Sequence, residues 1–210
     1  VSPRLSAALR RATLMLALGC ALAAGRQALA GNQIYEPMSE TVRSALAGAI
    51  SNRGDPVLQF RSMEDGRLWL NEMNQRLAKR IPDRRTRTEL LKTIHYYSIR
   101  TALDPQLVLG LIEVESGFRR YATSSAGARG LMQVMPFWVK LLGGGEKDNL
   151  YDVKTNILYG CLILRHYLDI EKGDYFRALG RYNGSLGRAE YPDMVHAAWK
   201  RRWGYQGATH

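Results

Sequence analysis

Glu115-Ser116-Gly117-Phe118 is followed, fifteen positions after the acid, by Gly130-Leu131-Met132-Gln133-Val134-Met135-Pro136. Further on stand Asn156-Ile157 with Gly160, and then Arg181-Tyr182-Asn183-Gly184. The chemistry starts with Glu115, which continues the spacing Val108, Ile112, Glu115 and so puts a carboxyl on an apolar face at the end of a helix. Desolvation there disfavours the charged form and lifts the pKa above the model value of ~4.3. A carboxyl that keeps its proton near neutral pH can deliver it to a glycosidic oxygen. Ser116 has a hydroxyl beside the acid that can orient it or meet a substrate, and Gln133 offers an amide donor and acceptor to a sugar. Glu113, two residues from Glu115, falls on the other side of the helix and is expected to be exposed or paired with an arginine.

The elements that must position these groups read as helices. Ser39 to Ile50 and Glu64 to Ile81 carry helical spacing, the second through Leu68, Trp69, Met73, Leu77 and Ala78 with Pro82 as its stop. Arg80 to Arg87 reads as an exposed connector. A stripe of Leu90, Ile94 and Tyr97 predicts a helix over 89–101. Asp104-Pro105 then caps and opens the helix that runs to Ser116, which is apolar nearly all round and therefore buried. Residues 117–130, rich in Ser, Gly and Ala, form a loop. A short helix over 136–142 ends at Gly143-Gly144-Gly145. A long one starts near Asp152 or Thr155 and reaches Glu171; Asp174 caps another to Tyr182; and residues 191–203 make the last amphipathic segment. No strand alternation of useful length occurs. The fold class is mostly α.

The four blocks, in this order, resemble the soluble lytic transglycosylase family, and the resemblance runs from Leu90 to Tyr191. It implies a lysozyme-like helical domain, here residues 86–210, preceded by a helical lead-in over 31–85. It also implies the reaction. Glu115 would be the sole catalytic carboxyl, protonating the bond between N-acetylmuramic acid and N-acetylglucosamine in peptidoglycan glycan strands. It would then act as base for the muramic C6 hydroxyl, giving a 1,6-anhydro product without water. Substrate assistance by the N-acetyl group removes the need for the second carboxylate of ordinary glycoside hydrolysis. By the same resemblance Met132 and Gln133 are cleft residues, Tyr182 reaches its hydroxyl toward Glu115, and Asn183 lines the cleft. Asn156, Ile157 and Gly160 are read as structural: a helix start, a core contact and a close crossing. The small Gly130 is expected to let backbone approach a sugar. Arg181 departs from the family, which usually has Ala before this Tyr. Two alternatives stay open: a hydrolytic muramidase of goose type with a water held by Asp148, Asp152 or Asp169, and a non-catalytic glycan-binding component of a secretion or conjugation apparatus. For Asp152 itself the ordinary role is a helix cap.

The rest of the chain bounds the setting. Arg4, Arg10 and Arg11, an apolar run from Leu14 to Ala24, and Ala28-Leu29-Ala30 form the pattern of a signal peptide over residues 1–30, cleaved before Gly31. The apolar run is short against the ~20 residues a span needs. Leu18-Gly19-Cys20 offers a lipoprotein variant with a membrane anchor at Cys20, though Ala17 stands where a larger aliphatic is preferred. Export to the periplasm is expected. Cys161 is then the one cysteine of the mature chain, and its helical spacing with Ile157, Leu164 and Leu168 makes it a small buried hydrophobe. The formal net charge is +11 and stays positive without the leader's four arginines, which suits an acidic polymer such as peptidoglycan with its stem-peptide carboxylates. Export argues against nucleic acid as the partner. His95, His166, His196 and His210 form no closely spaced pair, and no phosphate loop or serine nucleophile elbow occurs, so no metal and no cofactor are expected. Trp138, Tyr121, Tyr151 and Tyr191 are aromatic side chains of the kind that more often fill cores than stack on sugars.

Overall fold

In a computed structural model of the chain the described residues are 33–34, 36–52, 54–142 and 148–206. The signal-peptide reading, Cys20 and the Gly143–Gly145 turn lie outside them. Among the described residues there are α-helices and no strand; the nearest approach to a sheet is a pair of isolated bridges, Thr123 with Arg129 and Arg129 with Val134. The mostly α expectation is met.

Helix starts follow the expected caps. Ser39 caps α1 (Glu40–Ser51), Ser62 caps α2 (Met63–Leu77), and Asp83 caps α3 (Arg84–Arg100), each side chain accepting from a backbone N–H of the first turn. Asp104 does the same for α4 (Pro105–Ser116), with Pro105 in the first turn. After the short α5 (Phe137–Leu141), Asp152 caps α6 (Val153–Ile170) and Asp174 caps α7 (Tyr175–Asn183). The last amphipathic segment is in two parts, α8 (Glu190–Ala197) and a π-helical turn over Ala198–Arg202.

One expectation needs correction. Residues 80–83 do join α2 to α3 and are exposed apart from the half-buried Ile81, but the connector does not extend to residue 87. Arg84 to Arg87 form the first turn of α3, and Arg87 is buried, donating to the Ile81 and Pro82 carbonyls and to Asn74 Oδ1. A guanidinium can be buried where its donors meet carbonyls that have lost their helical partners. Arg80 is also engaged, in an ion pair with Glu113.

α4 is the centre of the fold. Leu107, Val108, Leu109, Leu111 and Ile112 have no exposed surface, as a helix apolar on all sides requires. It packs on α3, on α8 and on the π-helical turn, while α6 packs on α3 and α7. The lead-in joins the same core: Trp69, Met73 and Leu77 of α2 are fully buried in one cluster with α3, α4 and α6. Its first residues are tied down by Gln33, whose side chain donates to the Gln133 carbonyl at 3.4 Å and accepts from the Met135 N–H at 3.2 Å. Glu36 pairs with Arg181 at 2.5 Å.

Candidate active site

The C-terminal turn of α4 presents Glu115 to a cleft of about 480 Å³, which Gln133 also lines together with residues 119–124. The carboxyl is almost wholly buried, 2% exposed. Burial pushes its pKa up to about 8, opposed by one hydrogen bond from the Tyr191 hydroxyl, which donates to Oε1 at 2.5 Å. The other oxygen, Oε2, is buried and has no partner among the described residues. A carboxyl with one oxygen held by a phenol and the other unengaged beside a cleft is poised to give its proton to a ligand oxygen.

Glu113 takes the other face of α4. Its carboxylate pairs with Arg80 and Arg202 and accepts from Trp203 Nε1 at 2.6 Å, so the arginine partner expected from the sequence is present. The two acids of one turn thus sit in opposite environments, one paired with cations and one with none.

The second block is a tight loop whose shape depends on Asn156. Its side chain accepts from the Met132 N–H at 2.8 Å and donates to the carbonyls of Arg129 and Leu150, both at 2.8 Å. Asn156 is therefore a staple from α6 to the loop as well as part of a helix start. Gly130 lies under that staple at φ +78°, and a Cβ there would come within 2.4 Å of the Leu150 carbonyl oxygen. Its smallness serves this contact inside the protein. Gly160 makes the expected close crossing, against the side chain of Met132.

Gln133 has φ +48°, a backbone conformation uncommon outside glycine, and its Nε2 donates to the Ala122 and Gly130 carbonyls. Those bonds hold the loop beside Glu115 and commit both amide protons inside the protein. Ser116 is buried and returns its hydroxyl to the Ile112 carbonyl. Met132, Tyr182 and Asn183 are buried too, and none of these four lines the cleft cavity. The Tyr182 hydroxyl donates to the Met132 carbonyl at 2.7 Å; the phenol that bonds Glu115 is Tyr191. The role expected of Tyr182 thus falls, in this geometry, to a residue the sequence reading had left among the core aromatics.

The three aspartates that could have held a water for Glu115 are occupied elsewhere. Asp148 accepts from Tyr159, Asp152 caps α6, and Asp169 pairs with Arg165 on the surface. No group of three or more His, Cys, Asp or Glu side chains that could hold a metal occurs among the described residues. Cys161 is fully buried with its thiol pushed up to about 12 by burial, the small hydrophobe expected. A larger, open cavity of about 920 Å³ lies between α2 and residues 204–206, but its acid Glu72 is already paired with Arg76 and it includes none of the four motif blocks.

A helical domain with a single carboxyl, its pKa raised by burial, on the wall of a cleft is the class that fold and site define. Residues 92–193 match the Transglycosylase SLT domain model. Among its relatives, the transglycosylase of Enterobacteria phage PRD1 is 41% identical over 100 residues, which is 48% of this chain and 36% of that protein. The membrane-bound lytic murein transglycosylase C of Actinobacillus pleuropneumoniae is 32% identical over 130 residues, 58% of this chain and 34% of that one. The chain thus spans about a third of the length of these relatives. Among solved structures, the 70-kDa soluble lytic transglycosylase of Escherichia coli is 20% identical over 78% of this chain and 26% of its own, with a TM-score of 0.40. The lytic transglycosylase Slt of Pseudomonas aeruginosa is 17% identical over 81% and 35%, with a TM-score of 0.43.

Proposed function

We propose that this protein is a lytic transglycosylase that cuts peptidoglycan glycan strands between N-acetylmuramic acid and N-acetylglucosamine without consuming water. The observation that carries the reading is Glu115: a buried carboxyl at the cleft with its pKa raised to about 8 by burial and no ion pair among the described residues. At neutral pH it is protonated, so it can act as general acid on the glycosidic oxygen. Once the proton is given, the carboxylate left behind is stabilised by the Tyr191 hydroxyl and by little else. A carboxylate held so sparingly is a competent base, and the muramic C6 hydroxyl is the proton donor within reach of the same centre. Its attack on C1 closes the 1,6-anhydro ring and returns Glu115 to its starting state. Neighbouring N-acetyl participation takes the part of a second carboxylate. Tyr182 on the Met132 carbonyl, Ser116 on the Ile112 carbonyl and Gln133 on the Gly130 carbonyl hold the loop and helix end that frame the cleft, with Asn183 buried at the end of α7.

The membrane-bound relatives support a place in the cell envelope, and the leader over residues 1–30 supports export to the periplasm. No helix among the described residues is long and apolar enough to cross a membrane.

The test is Glu115→Gln. Turnover of purified glycan strands is expected to be lost while strand binding, followed by pull-down on insoluble peptidoglycan, survives. Unchanged lysis by the variant would remove Glu115 from the reaction.

A further inference from the structure

The cleft that holds Glu115 has a neighbour. A second cavity, of about 560 Å³, shares one lining residue with it, Arg120. Its volume falls in the range of ligand sites, ~300–1,000 Å³. Its walls come from two stretches of chain. Pro56, Arg85 and Leu90 precede the segment that matches the family, whereas Phe118, Leu131 and Lys154 lie within it. The lead-in and the start of α3 therefore build a feature that the matched segment alone does not contain.

The chemistry of the walls is mixed in a particular way. Leu90, Phe118 and Leu131 give a buried apolar floor. The rim carries three cations, Arg85, Arg120 and Lys154, against two acids, Asp55 and Glu89. Both acids are already engaged: Asp55 lies 3.4 Å from Lys154 Nζ, and Glu89 lies 3.3 Å from Lys92 Nζ. Arg85 and Arg120 have no ion pair among the described residues. The Arg120 Nε donates to the Tyr151 carbonyl, which fixes the arm at the boundary between the two cavities. Two guanidiniums without an ion pair, one of them anchored only through its Nε and over the Tyr121 ring, suit a ligand with carboxylates and small apolar side chains, since the guanidinium fork matches a carboxylate in two-point contact. Two cavities with a common wall suit a branched ligand with one arm in each.

On the reading proposed above, the substrate is branched in that sense: a glycan whose muramic residues carry short acidic peptides. We propose that the second cavity binds the acidic peptide branch of the strand held in the cleft, with Arg85 and Arg120 on its carboxylates. This rests on the transglycosylase reading for the identity of the strand, but its binding step is measurable without turnover.

The full chain is titrated with a soluble muramyl peptide and followed by amide NMR. It is also assayed on strands that retain their peptides and on strands stripped by an amidase. Shifts at the Arg85, Thr86 and Lys154 amides are expected, with a higher kcat/KM on peptide-bearing strands. The pair Arg85→Glu with Lys154→Glu should lower kcat/KM about tenfold on those strands and leave stripped strands unchanged, as two rim charges of modest individual worth would. Thr86→Trp, which fills the cavity without altering charge, should act in the same direction. Equal turnover of both strand types by the unaltered protein, or equal loss on both in the variants, overturns the peptide site while leaving the cleavage reading intact. Amide shifts in this cavity with neither strand cut would support the site and overturn the cleavage reading instead.

Discussion

The Tyr191 hydroxyl and the Glu115 carboxyl are 76 positions apart in sequence and 2.5 Å apart in space, in a contact closed from water. α8 supplies the donor and α4 the acceptor, so the packing of these two helices sets the protonation of the site. This hydrogen bond is the one influence that lowers a pKa otherwise raised by burial.

Removing that donor by Tyr191→Phe is expected to raise the Glu115 pKa further and to strip the carboxylate of its partner. The alkaline limb of the kcat/KM profile should move to higher pH while kcat falls about ten- to a hundredfold, the worth of a hydrogen bond to a charged group. A pH–rate series on purified strands checks both. An unmoved limb would separate Tyr191 from the titration.

The raised pKa of Glu115 also fixes how its contribution to stability runs with pH. The folded value, about 8, lies above the ordinary 4.5, so the folded state holds the proton more tightly than the unfolded one. The contribution is fully present below about pH 4.5 and is lost as pH rises toward and through 8. Glu115→Gln cannot titrate and should abolish this slope, leaving the variant more stable than the parent at pH 8 by on the order of a few kcal/mol. Urea denaturation at pH 5 and pH 8 measures the difference.

Asn156→Ala should cost about 2–4 kcal/mol, because it leaves the Met132 N–H and the Arg129 and Leu150 carbonyls without their partner in a buried setting. Activity should fall with it, since the released loop carries Gln133 at the cleft. Gly130→Ala should behave alike through a different cause, a positive φ and a clash with the Leu150 carbonyl. Thermal unfolding of the two variants provides the comparison.

Arg181 bridges Glu36 and Glu171, which ties the lead-in to the helix that carries Tyr182 and Asn183. Arg181→Ala should destabilise by about 1–2 kcal/mol, less at high salt, because these ion pairs are partly shielded from water. Chemical denaturation at two ionic strengths reads this directly. The charge at Arg181 thus has a physical reason: Glu36 supplies a counter-charge from outside the matched segment.

What was legible in the sequence follows from what is local. The caps at Asp104, Asp152 and Asp174 and the apolar spacing that ends in Glu115 are contained within single turns, and they predicted helix starts to within a residue or two and the burial of the acid. The donor on that acid was not legible. Tyr191 is a large aromatic at the start of an amphipathic helix, and nothing in its type or spacing distinguishes it from a core residue. Gln133 could be placed at the cleft, but the commitment of its amide protons to Ala122 and Gly130 depends on a loop fold set from α6 by Asn156. Arg87 was misread because a charged residue in an arginine-rich run signals exposure, whereas its partners are carbonyls whose availability only the chain path decides. The second cavity needs residues from 55 to 154 in one place, which no local pattern encodes.

The most direct test of the central claim is mass spectrometry of the products from purified glycan strands. Fragments ending in 1,6-anhydro-muramic acid, ~18 Da lighter than the hydrolysis product, are expected if Glu115 serves as acid and then as base with no water added. Reducing-end muramic acid in their place would contradict the account and call for a second carboxylate to activate water, which is not among the residues that line the cleft.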